Sequence, residues 1–331
     1  MTKLKIFSQN DVKQAMNMFQ AIDAVKQAYI QLSKGEAVIP RRTQVPVEKH
    51  DGVTLFMPAY LASTETLEAK IVSVFPKNTE NDLPTIHAVI IVINAQTGQP
   101  EALMDGTYLT ALRTGAASGL ATELLARKEA RVAAIFGAGI QGRTQLEAIS
   151  TVRSIEKVWI YDIIPEATEV YIKEMKSRGK PIPSDLSMAG SPSQAVRDAD
   201  IICTATTSLT PVFDDVDLKP GAHINAVGSY TPQMQEVPGQ TVARAKVVVD
   251  SISASLAEAG DLIIPLKDAA IAKSHIHGEI GQVAAGEIPG REREEELTFF
   301  KSVGVAAQDA AVAELVLRKA DELGLGISVA L

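Results

Sequence analysis

The stretch Gly137-Ala138-Gly139-Ile140-Gln141-Gly142 constrains this 331-residue chain more than any other. An apolar run at 132–136 precedes it, a helical stretch follows, and a second apolar run lies at 158–161. Strand, glycine loop, helix and strand at this spacing predict a dinucleotide-binding βαβ unit. Each glycine has its own reason. Gly137 permits the tight turn, Gly139 lets the backbone approach a pyrophosphate, and Gly142 lets helix pack closely on strand. The helix N-terminus then offers free N–H groups and the positive end of a dipole to phosphates. Ala138, Ile140 and Gln141 belong to the same cradle, and Arg143 and Thr144 stand ready to add phosphate contacts.

Asp162 ends the second strand, 20 residues beyond Gly142. A carboxylate there accepts from ribose hydroxyls and repels a 2′-phosphate. The next residues, Ile163, Ile164 and Pro165, are not basic, which favours NAD, with NADP as the alternative. Ala205, Thr206 and Thr207 follow the run 201–204, at the kind of strand end that lines the ligand crevice.

From residue 131 onward strands alternate with helices: strands at 132–136, 158–161, 201–204, 224–227 and 247–249, and a helix at 165–177. Such alternation predicts a mostly parallel sheet covered on both faces. The first third reads differently. A helix at 21–34 ends at Gly35, and short strands follow at 45–47, 53–57 and 71–75. A hairpin joins 87–94 to 100–104 through Ala95-Gln96-Thr97-Gly98, and a helix at 107–127 is rich in small residues suited to close packing. A last amphipathic helix, 303–323, lies beyond the last strand and packs back on the first domain. The expected fold class is therefore α/β: a doubly wound Rossmann dinucleotide-binding domain at 129–302, plus an α+β substrate and dimerisation domain from 1–128 with 303–331.

Charge narrows the partners. With 32 basic and 40 acidic residues the net charge is −8, and aromatics make up only 5%. A chain without a basic block is a poor partner for nucleic acid or anionic membranes, and few rings are available for base stacking. No run reaches the ~18 apolar residues that span a bilayer. The opening from Met1 to Asp11 turns polar early, and Cys203 is the single cysteine. A cytoplasmic protein acting on small molecules is the expectation.

Two cations stand in apolar settings: Lys70 within a strand run and Arg113 within the small-residue helix. A buried cation needs a partner. Neither has an obvious acidic neighbour at strand or helix spacing, although Glu68 is close in sequence. An anionic ligand or an ion pair with a distant Asp or Glu both answer that need.

Several segments together resemble the ornithine cyclodeaminase/mu-crystallin family. They are Pro40-Arg41-Arg42-Thr43 with Val45-Pro46, Met57-Pro58-Ala59-Tyr60, Ala69-Lys70, Leu83-Pro84-Thr85, Met104-Asp105-Gly106 and Leu112-Arg113-Thr114. The glycine loop, Gly278-Glu279-Ile280-Gly281 and Phe300-Lys301-Ser302-Val303-Gly304 complete the match across nearly the whole chain. The resemblance implies a homodimer built by the N-terminal domain and a substrate pocket between the domains, facing the nicotinamide. It implies that Arg42, Lys70 and Arg113 hold the substrate carboxylate, that Thr85 lies near the substrate, and that Ser302 and Val303 lie against the nicotinamide.

The match departs at one place. The cyclodeaminases and the family's alanine dehydrogenases carry an aspartate in a Val-Gly-x-Asp pattern, as general base in the cyclodeaminases. Here the stretch is Val227-Gly228-Ser229-Tyr230. A tyrosine, with an ordinary pKa near ~10, is a poor base at neutral pH. Mu-crystallin lacks the aspartate too. A cyclic imine can arrive already protonated, so its reduction has less need of a base. The resemblance thus implies an NAD(P)H-dependent reductase of small cyclic imino acids such as pyrroline-2-carboxylate or piperideine-2-carboxylate. Lys70, or water held by Tyr230, then keeps the imine nitrogen protonated. Ornithine cyclodeaminase, alanine dehydrogenase and a non-catalytic dinucleotide-dependent binder are the alternatives.

Other candidates are thin. His275-Ile276-His277 lacks a clear third ligand for a metal, so no metal is expected. His87 reads as a core histidine, with a proton relay as the other reading. Cys203 sits in a buried run without a nearby histidine, so it is a poor nucleophile. Asp250 and the stretch from Glu258 to Asp261 read as loop and helix-end residues near the pocket rim, and Glu292 with the run 294–296 as a solvated helix start.

Overall fold

The computed structural model describes residues 3–81 and 83–330, which form two compact units, 1–113 with 305–331 and 114–304. The sequence expectation set the divisions at 128/129 and 302/303. Met1, Thr2 and Leu331, at the ends of the expected spans, lie outside the described residues.

The first unit holds β1 (Lys3–Phe7), β2 (Ala37–Val38), β3 (Thr43–Val47), β4 (Gly52–Leu61), β5 (Thr66–Val74), β6 (Ile86–Asn94) and β7 (Pro100–Asp105). Strands β4 to β7 form an antiparallel meander, and β3 and β2 pair with β4. β1 runs parallel to β7. Along β5, Thr66, Glu68, Lys70 and Val72 are buried and the residues between them are half-buried, the period-2 pattern of a sheet with one face packed.

Helices α1 (Gln9–Ala15) and α2 (Met18–Ser33) start at capping boxes, Ser8 with Asp11 and Asn17 with Gln20. α2 begins three residues earlier than the apolar spacing suggested because Asn17 caps it there. Helix α3 (Gly106–Leu125) is the expected small-residue helix, and the division between units falls inside it.

The second unit holds β8 (Val132–Phe136), α4 (Ile140–Val152), β9 (Lys157–Tyr161), α5 (Pro165–Ser177), β10 (Asp185–Met188), α6 (Pro192–Val196), β11 (Ile201–Thr204), β12 (His223–Ala226) and α7 (Gly239–Arg244). It continues with β13 (Lys246–Val249), α8 (Ile252–Glu258), α9 (Gly260–Lys267), β14 (Ile276–Glu279), α10 (Ile280–Ala284) and β15 (Thr298–Lys301). The strand order is β10-β9-β8-β11-β12-β15-β13-β14, parallel throughout. Apolar cores cover both faces: one includes Ile135, Leu146, Val158 and Tyr171, the other Phe136, Ile202, Ile224 and Phe299. This is the expected doubly wound Rossmann fold. Its order reverses between β8 and β11, and ligands bind outside the strand carboxyl ends at such a switch point. α3 approaches α4 closely: a Cβ at Gly115 would lie 2.6 Å from the Thr144 carbonyl oxygen.

α11 (Ala306–Leu323) returns to the first unit and packs on α2, β4 and β5. It does not lie beyond the last strand, as the sequence suggested. β10, β14 and β15 were not among the expected strands, and β16 (Ile327–Ala330) follows the helix as an antiparallel partner of β1. The acidic stretch at 292–296 starts no helix; Glu292 and Glu296 pair with Lys246. No helix among the described residues is long and apolar enough to cross a membrane.

Candidate active site

In the second unit the glycine loop crosses the switch point. Gly137 has φ +98°, and its N–H donates to the Tyr161 carbonyl at 3.0 Å. A Cβ there would sit 2.5 Å from the Ala205 carbonyl oxygen, and one at Gly142 would sit 2.1 Å from the Gly137 carbonyl oxygen. At Gly139 the result is the opposite: nothing lies within 4 Å. Gly139 is the N-cap of α4, and no side chain caps the helix. Open space in front of uncapped helical N–H groups fits the pyrophosphate of a dinucleotide.

The surrounding side chains hold the loop in shape. Asp162 Oδ2 accepts the Ala138 N–H at 2.7 Å, and Oδ1 accepts the Ile164 N–H at 2.9 Å. Arg143 donates to the carbonyls of Ala138 and Gly139 and pairs with Glu174 at 2.7 Å. Thr144 donates to the Gln141 carbonyl. Arg143 thus uses Nε and Nη1, and Thr144 its hydroxyl, on Glu174, the loop and the helix themselves. Ala138 is buried, whereas Ile140 is exposed.

Two buried carboxylates organise the remaining strand ends, and sequence reasoning missed both roles. Glu236, fully buried, accepts from the Thr204 hydroxyl, the Thr206 N–H and hydroxyl, and the Gly228 and Ser229 N–H groups at 2.6–3.1 Å. The Thr206 hydroxyl proton is therefore used inside the protein. Asp250, read from sequence as a rim residue, is also buried. Its Oδ2 accepts the Ser302 hydroxyl and the Val303 and Gly304 N–H groups, each at 2.8 Å. Asp261 is likewise no rim residue: it is fully buried, accepts the Glu236 and Val237 N–H groups and pairs with buried Lys301 at 3.0 Å. The sequence signal for these three was an acid standing among mostly apolar or small residues, and only Asp250 directly follows a strand.

The first unit gathers charge at one point. Lys70 Nζ lies 2.6 Å from Asp309 Oδ2, and Arg113 Nε lies 3.0 Å from Asp309 Oδ1. Arg113 also donates to Gln308 Oε1 at 2.9 Å, and the Gln308 amide returns to the Arg113 carbonyl. All four residues are buried. The distant acid that the sequence could not locate is Asp309, 239 residues from Lys70. Glu68 is buried beside them. Neither of its carboxyl oxygens has a hydrogen-bond partner among the described residues. Burial first, and Asp309's charge second, hold its carboxyl well above the usual carboxylate range, which favours its neutral form. Burial lowers Lys70 to about 8, against the pull of Asp309. With Glu68 neutral, two cations face one carboxylate, and one positive charge is left over.

The structure thus brings Lys70 and Arg113 together. Arg42 is half-buried just ahead of β3, and Thr85, half-buried, stands just ahead of β6, its carbonyl accepting the Phe75 N–H at 2.8 Å. In the second unit, burial pushes the Tyr230 hydroxyl up, so it holds its proton at neutral pH, and the residue stays 39% exposed. His87 is exposed on β6, which corrects the core reading. His275 and His277 each bond a backbone carbonyl through Nε2. Burial pushes the Cys203 thiol up to about 12.

A family model described as ornithine cyclodeaminase/mu-crystallin family matches residues 3–323. The Delta(1)-pyrroline-2-carboxylate reductase of Bacillus cereus is 40% identical over 323 residues, 97% of this chain and 98% of that one. The solved structure of Thermococcus litoralis Delta(1)-pyrroline-2-carboxylate reductase, in complex with NADH and L-proline, superposes with a TM-score of 0.95 and 43% identity, covering 98% of this chain and 100% of that one. An archaeal alanine dehydrogenase dimer with bound NAD superposes at 0.92 with 35% identity, covering 99% of each chain. Since both the family model and relatives above one-third identity run nearly end to end, the chain belongs to the ornithine cyclodeaminase/mu-crystallin family.

Proposed function

We propose that the protein is an NAD(P)H-dependent reductase that converts a small cyclic imino acid, pyrroline-2-carboxylate or piperideine-2-carboxylate, to proline or pipecolate. The observation that carries this reading is the buried pair Lys70 and Arg113 sharing one carboxylate. One uncompensated charge in a buried site suits a ligand with one carboxylate, and arginine's planar fork suits that group. The relative solved with NADH and L-proline, and the Bacillus cereus reductase, support the substrate class.

NAD is the proposed cofactor, with NADP the alternative. Gly137 to Gly142 would hold its pyrophosphate on the N-terminus of α4, Asp162 its ribose, and Ala205, Thr206, Ser302 and Val303 the nicotinamide half. When bound, the cofactor supplies the hydride. Arg42, Lys70 and Arg113 bind the substrate carboxylate, with Thr85 beside it. Lys70, poised near neutral pH, keeps the imine nitrogen protonated. Tyr230 serves as a hydrogen-bond donor rather than a base. In this reading residues 1–128 with 303–331 bind substrate and 129–302 bind the nucleotide. The protein is a homodimer in the cytoplasm. Val45 and Phe56, exposed on β3 and β4, supply apolar surface for the pairing, and the archaeal relative is a dimer.

The test is NADH and NADPH oxidation with pyrroline-2-carboxylate, piperideine-2-carboxylate and pyruvate plus ammonium, alongside ammonia release from L-ornithine. The cyclic imines should give the highest kcat/KM, with NADH. Faster turnover of pyruvate plus ammonium, or ammonia release from ornithine without net NADH change, would replace this reading with a dehydrogenase or a cyclodeaminase.

A further inference from the structure

We propose that Glu68 sets the net charge of the Lys70–Arg113–Asp309 cluster and thereby its affinity for a carboxylate ligand, an inference that rests on the carboxylate-binding reading above. Glu68 shares the buried face of β5 with Lys70, two residues away. Its cross-strand neighbours are Ala59 on β4 and Val92 on β6, so the sheet offers it no polar side chain there. The charged groups that act on it are Asp309 from α11, Lys70 from its own strand and Arg113 from α3. A structural counter-ion would be hydrogen-bonded to its cation. Asp309 already fills that place for both cations, and both Glu68 oxygens are without hydrogen-bond partners among the described residues.

An unpaired buried carboxyl is a standing cost to the fold that a neutral side chain would avoid. Its protonation state has a direct effect on the cluster. With the proton on Glu68 the four groups sum to +1 and attract one carboxylate. With the proton gone they sum to zero, and the site has no net pull on an anion. Affinity for the imino acid therefore falls as pH rises through the titration of Glu68. By linkage, binding an anion draws a proton onto the cluster.

The experiment compares KM for pyrroline-2-carboxylate between about pH 5 and about pH 7, where Lys70, at about 8, keeps its charge, in the wild type, Glu68→Gln and Glu68→Met. Both variants fix the position as uncharged, and their melting temperatures report folding. The wild-type KM should rise about ten-fold, the size of one partly screened charge at close range, while both variants stay flat. A variant profile that tracks the wild type overturns the proposal. So does a variant KM that rises at lower pH than the wild type, because Glu68 would then be the ionised counter-ion of Lys70. A second measurement needs no variant. Calorimetric titration of the wild type with L-proline, in buffers of different ionisation heat near neutral pH, should show net proton uptake, and none would overturn the proposal. If the wild type turns over no imino acid, the reading of the reaction fails by itself. The Glu68 proposal is then judged on L-proline binding alone, where pH-independent affinity or no binding sinks it.

Discussion

Lys70 and Asp309 form an ion pair with side-chain exposures of 1% and 0%, and the far oxygen of the same carboxylate holds Arg113. A strand, the small-residue helix and the returning helix α11 therefore meet on one acid. Replacing Asp309 by Asn removes the hydrogen-bonded counter-ion of both buried cations. Removing one partner of a buried pair costs about 3–5 kcal/mol. Asp309→Asn should therefore unfold at markedly lower urea concentration than the wild type. Saturating L-proline should recover part of the loss, because its carboxylate takes the vacated role. A urea midpoint unchanged by the substitution would show that the cluster is not held together this way.

Lys70 gives a pH signature in which affinity and stability move in opposite directions. Burial lowers it to about 8 in the folded protein, whereas an unfolded lysine titrates near ~10.4. Between those values the native state binds fewer protons than the unfolded state, so this residue's contribution to stability rises with pH across that window and is level outside it. Ligand affinity does the reverse, since the cluster loses a charge above about 8. The KM for the imino acid should climb above that pH in the wild type. Denaturation of the wild type at increasing pH, compared with Lys70→Met, should show the stability gain only where lysine is present. Identical pH dependence in the two proteins would place the Lys70 titration elsewhere.

The second unit was legible in outline because its signals are local. The run at 132–136, the glycine hexad and Asp162 lie within one βαβ unit, and the structure returns β8, α4 and β9 where the spacing put them. The helix expected at 165–177 is α5, bounded by Pro165 at its first position. What the sequence hid are relationships across long separations. Asp309 reads as one acid on an amphipathic helix until the fold carries it back to Lys70. Asp250 reads as a loop acid, and Glu236 draws no notice at all, until their backbone donors surround them. Glu68 could be seen close to Lys70 in sequence, but the expected strand began at 71, so neither their alternation on one face of β5 nor the lack of a hydrogen-bond partner for Glu68 among the described residues was read. Burial of a charge is a tertiary property, and no residue spacing encodes it.

The glycines of the cradle should separate folding from cofactor binding. Gly139 has open space where a Cβ would go, so Gly139→Ala should fold with an unchanged melting temperature. The added methyl would stand in the path of the pyrophosphate, and the NADH dissociation constant should rise about ten-fold or more, a loss of ~1.4 kcal/mol. Gly142→Ala should behave in the opposite way. Its Cβ would meet the Gly137 carbonyl at 2.1 Å, and backbone cannot swing aside as a side chain can. That variant should melt early even without nucleotide. Equal melting temperatures for the two variants would contradict the packing described for the loop.

Asp250 should behave as a positioning residue rather than a chemical one. Its Oδ2 gathers the Ser302 hydroxyl and the Val303 and Gly304 N–H groups, while Oδ1 takes the Ser251 N–H at 2.8 Å and the Ser255 hydroxyl at 3.2 Å. An asparagine is almost the same size but carries two N–H donors in place of one acceptor oxygen. Whichever way the amide turns, it meets donors with a donor and leaves buried N–H groups unpaired, at about 1–3 kcal/mol for each group so stranded. Ser302→Ala removes only one donor and leaves Asp250 with four, so it should cost about 1 kcal/mol. On the proposed function, the segment from Ser302 to Gly304 lies against the nicotinamide half of the cofactor. Loosening it should therefore reduce NADH affinity and kcat. The KM for the imino acid, held by Lys70 and Arg113, should change little in Asp250→Asn. Stopped-flow NADH binding together with steady-state kinetics separates these quantities. A variant with the imino-acid KM raised and NADH binding intact would move Asp250 from the cofactor's segment to the substrate's.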